Sequence, residues 1–149
     1  MKKFFILNKI FIVFLFLASN GMAKESNYLK EGIKLFNKKE FDKSKILFEK
    51  DIVFDPKSAK SYLYLAKIFY ENDNDLEQEI NLKSVLLINP QNDEAIYMLT
   101  ILKIEQSDYN KAKELIDKFN LVCKSFCNKK NEINEKFEKI NPENAKNND

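Results

Sequence analysis

From residue 28 onward, apolar positions fall at helical spacing. Tyr28-Leu29, Gly32-Ile33 and Leu35-Phe36 recur three to four residues apart and make one apolar face. The polar stretch Asn37 to Glu40 follows as a turn. Phe41, Ser44, Ile46-Leu47-Phe48 and Ile52 to Phe54 then outline a second helix, which Asp55-Pro56 ends. Proline has no amide proton and disfavours helical geometry in the residue before it, so a helix stops there. The same punctuation returns at Pro90, 34 residues after Pro56.

A step of 34 residues brings apolar and small positions into register along the chain. Tyr28, Tyr62 and Ile96 align, as do Leu29, Leu63 and Tyr97. Gly32, Ala66 and Thr100 are all small; Phe36, Tyr70 and Ile104 are all large and apolar or aromatic. Phe48, Leu82 and Ile116 align in the second helix, and Phe41 returns as Tyr109 two steps on. Shared helical bias alone would not keep this register. The pattern predicts an all-α chain of about three helix-turn-helix units, at residues 25–58, 59–92 and 93–126.

This unit resembles the tetratricopeptide repeat. That family places an aromatic near the start, small residues where the two helices cross, an aromatic after the turn and a closing proline. Tyr28, Gly32, Phe41, Ser44 and Pro56 supply these in the first unit, and Ile96, Thr100, Tyr109 and Ala112 supply most of them in the third. Small residues suit the crossing because helix axes must approach to about 8–10 Å. The second unit departs from the pattern. Asp75 stands where an aromatic is expected, with Leu76 read as its substitute through a longer turn, and Gln78 replaces a small residue. In the third unit Lys124 replaces the closing proline. The resemblance implies a right-handed superhelical solenoid over residues 24–127.

Phe119, Phe126, Ile133 and Ile140 follow seven residues apart, flanked by Lys, Glu and Asn. One apolar stripe describes a helix with a single buried face. A solenoid needs such a cap, here expected at residues 128–141; a coiled-coil contact with a partner is the alternative. Residues 142–149 are polar and read as a disordered tail.

The first 23 residues form a separate object. Lys2 and Lys3 precede an apolar stretch, continuous from Ile10 to Ala18, and Gly21-Met22-Ala23 closes it with small residues. These are the three parts of a secretory signal peptide, with cleavage expected after Ala23. An uncleaved inner-membrane anchor through residues 4–18 is the alternative, although a span needs about 20 apolar residues. The expected location is the periplasm or outside the cell. The leader also changes the charge. The whole chain is formally +2, but without Lys2, Lys3 and Lys9 it carries 22 lysines against 23 acids. No basic excess remains to attract nucleic acid.

Catalytic chemistry has little to work with. Histidine is absent, which removes the commonest proton shuttle and the usual base for a Ser or Cys nucleophile. Two glycines in 149 residues make no phosphate-binding loop. Asp73 and Asp75 sit in a solvated turn that lacks the glycine and closing glutamate of a calcium loop. No catalytic residue, cofactor or metal is expected. Cys123 and Cys127 are spaced Cys-x-x-x-Cys, unlike the Cys-x-x-Cys of redox and zinc sites. Three readings stay open for them: packed thiols, a structural disulfide and a catalytic pair.

The resemblance also implies a concave face lined by the first helix of each unit. Its candidate partner-binding residues are Leu29, Ile33 and Phe36, then Leu63, Lys67 and Tyr70, then Tyr97, Ile101 and Ile104. An apolar patch of this kind suits an apolar peptide segment. The same residues could instead pack between repeats or lie beneath the terminal helix. The expected function is a non-enzymatic protein-binding scaffold of the cell envelope, with a protein or peptide partner. Envelope assembly, at the outer membrane or in secretion, is a reasonable setting. The alternatives are a thiol-redox protein using Cys123 and Cys127, and a protein that self-associates through its last helix.

Overall fold

A computed structural model of the protein describes residues 26–140; the expected leader and the tail at 142–149 lie outside them. The described residues contain helices and no strand. Helices α1 (Asn27–Asn37) and α2 (Phe41–Phe54) form the first pair, α3 (Ala59–Glu71) and α4 (Asp75–Ile88) the second, and α5 (Asp93–Glu105) and α6 (Tyr109–Val122) the third. A 3-10 turn at Cys127–Lys129 leads into α7 (Lys130–Ile140). Each helix packs mainly on its neighbours in sequence, as a solenoid requires. No described helix is long and apolar enough to cross a membrane.

The repeat is built from local signals. The second helices begin at Phe41, Asp75 and Tyr109, and each runs 14 residues. Ser26, Asn74, Asn92 and Asp108 cap helix N-termini by accepting the amide N–H three residues on. Lys39, Asp73 and Ser107 take left-handed φ angles of 61°, 51° and 58° at the same place in each turn. Because α4 starts in register at Asp75, the turn before it is no longer than the others. Leu76 therefore does not replace the missing aromatic; it points to solvent.

Close crossings explain the small residues. A Cβ on Gly32 would lie 2.7 Å from the buried Phe48 ring. Ser44 donates to the Gly32 carbonyl at 2.8 Å, tying the two helices together. Two apolar clusters form the core. Leu29, Phe48, Leu65, Ile68 and Phe69 join the first two units. The larger cluster joins the second and third units to Ile133 of α7.

The single helical stripe expected from Phe119 to Ile140 is broken. Phe119 belongs to α6, Phe126 to the bend and Ile133 to α7. The chain turns at Cys123, so α7 folds back on α5 and α6 and buries Ile133.

Candidate partner-binding site

The bend between α6 and α7 shapes the site. Cys123 and Cys127 are joined as a disulfide with Cα atoms 5.2 Å apart. They do not share a helix: Cys123 ends α6 and Cys127 opens the 3-10 turn. Within this loop the amides of Lys124, Ser125 and Phe126 all donate to one carboxylate oxygen of Asp93, at 2.7, 2.6 and 3.0 Å. Burial pushes the Asp93 carboxyl pKa up, but these donors outweigh it and hold it below the ordinary value. The first two units close with Asp55-Pro56 and Asn89-Pro90; the third closes with a disulfide and a buried-edge carboxylate instead.

The bend carries Phe126 against the face of α5. There Tyr97 lies 5.9 Å from the Phe126 ring, and its hydroxyl donates to Glu132 of α7 at 2.8 Å. Burial and this hydrogen bond push the Tyr97 phenol up to about 12. Lys129 sits over the Tyr97 ring, 5.5 Å from its centroid, and pairs with Glu132 at 2.7 Å. The terminal segment thus covers one end of the concave face.

Beside this cover a cavity of about 230 Å³ remains, lined by Tyr70, Gln78, Glu94, Tyr97, Met98, Ile101 and Phe126. Rings and aliphatic chains make its walls. Gln78 is 3% exposed, yet its side chain has no hydrogen bond to any described residue. The amide is therefore open to a ligand in the cavity. At the rim Glu94 pairs with Lys67 at 2.6 Å, and Lys67 also lies over Tyr64 at 4.9 Å from the ring centroid.

The structure divides the nine residues expected to line the groove. Tyr70, Tyr97 and Ile101 meet at the cavity, and Lys67 stands at its rim. Leu29, Leu63 and Ile104 are buried between helices and offer no surface. They point inward because a solenoid this short needs those side chains to join adjacent units. Ile33 and Phe36 pack half-buried on the first cluster, where Phe36 meets Phe41 and Tyr64 at 5.4 and 5.1 Å. Sequence reasoning missed Gln78, Glu94, Met98 and Phe126. Gln78 did carry a signal, being a large amide where the other units have Ser44 and Ala112.

A second polar site lies at the opposite end of the fold. Asp51 of α2 is 2% exposed and accepts hydroxyl hydrogen bonds from Ser26, Ser58 and Ser61. Burial raises its pKa, but the three hydroxyls prevail and the net shift is downward. This is a structural carboxylate: its side-chain donors are all hydroxyls at the start of α1 or α3.

No family model matches the chain, and neither does any curated protein. Among solved structures, the fold is similar to a chain of a CopN-Scc3 complex, with a TM-score of 0.63 and 16% identity over 78% of each chain. At that identity the likeness shows the fold alone: an all-helical repeat architecture shared over most of the described length.

Proposed function

We propose that this chain is an exported, non-enzymatic module of tetratricopeptide type that binds an apolar segment of a protein partner at the Tyr70–Ile101 cavity. The cavity is the observation that carries this reading. Its volume, about 230 Å³, is below the usual range for cofactor pockets, about 300–1,000 Å³, and suits one or two side chains. Apolar walls would take a Leu-, Met- or Phe-sized anchor, and the free amide of Gln78 would bond the peptide backbone beside it. Burying one such anchor is worth about 1.5–3 kcal/mol. Micromolar affinity needs about 8 kcal/mol, so the segment must continue past the anchor, over Tyr70 and the Lys67–Glu94 pair. The solved structure of similar fold is a protein complex, which supports a protein as the ligand class. Export rests on the leader-like first 23 residues, and the setting that follows is the cell envelope.

The test is photo-crosslinking in the native cell from a probe at Tyr70, with a control probe at exposed Lys113. Capture of one defined protein from Tyr70 only, abolished by Met98→Asp, supports the reading. Equal capture from both probes, or capture that Met98→Asp leaves intact, contradicts it.

A further inference from the structure

We propose that the edge of the solenoid formed by the last turns of α2, α4 and α6 is a lipid-facing surface that docks on an anionic bilayer. The penultimate residues of these three helices are Val53, Leu87 and Leu121, each 34 residues from the next. They are 77%, 85% and 87% exposed. Single exposed apolar residues are ordinary. Three at one repeat position fall on one edge, because equivalent positions of stacked units lie side by side. Phe54 extends the row; it too is exposed and stacks on Tyr28 at 5.5 Å.

The charge around the row selects a partner. On each helix the residues three and four positions back share its surface, and Lys57 and Lys124 follow in the turns just past the ends of α2 and α6. Glu49 beside Val53 is paired with Lys45, and Lys83 beside Leu87 is paired with Glu79. Lys50, Lys57, Lys118 and Lys124 have no ion-pair partner among the described residues. Against them stand the carboxylates of Asp55 and Asp117. Apolar tips ringed by long cationic chains match a bilayer with anionic headgroups: the tips enter the acyl boundary while lysines reach phosphates.

Chain geometry brings the same edge to a membrane. Ser26 bonds Asp51, one turn from Val53 and Phe54, so the chain joins the fold at this edge. The apolar run ending at Ala18 is only eight residues upstream, a reach of at most about 28 Å. Kept as an anchor, that run would hold this edge near the bilayer; cleaved as a leader, it leaves the row and its lysines to act alone. The cavity draws none of its lining from the row, so the two proposals stand or fall separately.

The test uses the full chain with a genetically encoded fluorescent residue at position 87. A second version carries it at position 76, the exposed opposite end of the same helix. Each is mixed with phosphatidylcholine vesicles holding nitroxide-labelled lipid, with and without phosphatidylglycerol. The expected result is quenching at 87 and not at 76, dependent on phosphatidylglycerol. A Lys50→Glu/Lys118→Glu variant of unchanged helical content should partition at least about tenfold more weakly. Equal quenching at 87 and 76 would mean the N-terminal run alone tethers the protein, and overturns the proposal. Absence of quenching at 87 also overturns it.

Discussion

Asp51 shows how one residue can be both a risk and a fastening. A buried carboxylate is costly unless its lone pairs are filled, and here Ser26, Ser58 and Ser61 fill them. Asp51→Asn should destabilise the fold by about 2 kcal/mol, measured by urea unfolding, because hydrogen bonds to a charged acceptor are the stronger kind. The pH sign follows from the lowered pKa. The stabilisation is complete above the unfolded value, near 4, and is lost as pH falls through the lower folded-state pKa. The Asn variant should therefore show a shallower loss of stability below pH about 4 than the parent. Gly32 is the other exacting position. Gly32→Val should cost about 2 kcal/mol or more, since the buried Phe48 ring, stacked on Tyr64 at 5.0 Å, has no room to retreat. Gly32 was legible in the sequence as a crossing residue. Asp51 was not, because an acid on an amphipathic helix reads as solvated until its tertiary partners are known.

Helices and turns were the most legible scale, and the residues that misled were those whose role is set by a neighbouring element. The apolar register over Tyr28, Tyr62 and Ile96 and the stops at Pro56 and Pro90 located three helix pairs. Leu76 misled because it mimics the aromatic of its neighbours while the capped start at Asn74 fixes a different register. The spacing of seven from Phe119 through Phe126 to Ile133 mimicked one helix because both flanks are helical. Only the bond between Cys123 and Cys127, and the pull of Asp93 on three amides, reveal the bend. The turns themselves carry avoidable strain. Lys39 and Ser107 hold left-handed conformations that glycine adopts freely. Lys39→Gly and Ser107→Gly should each raise unfolding free energy, by up to about 1 kcal/mol, in thermal or denaturant melts.

The whole molecule is a short solenoid whose last unit is finished by chemistry rather than by proline. A disulfide closing so short a loop is worth about 2 kcal/mol in chain entropy. Replacing both Cys123 and Cys127 with Ser should lower stability by that order. It should also speed amide exchange in α7 more than in α3, since α7 is held chiefly through α5, α6 and the bend. The concave face was half legible. The family resemblance put Tyr70, Tyr97 and Ile101 among the candidates, and they line the cavity; it could not say which side chains join adjacent units, so the buried Leu29, Leu63 and Ile104 were named with them. Phe126 was read as part of the terminal stripe, because only the bend after α6 turns it back onto the cavity.

Met98 makes occupation of the cavity directly measurable, being the only methionine among the described residues and a wall of the cavity. The measurement is the carbon-13 methyl resonance of Met98, followed as the captured partner's apolar segment is added. A saturable shift of that resonance, lost in Ile101→Asp while the helical spectrum is kept, is the expected result. Binding of the segment with the Met98 resonance unmoved would contradict it and place recognition elsewhere on the solenoid.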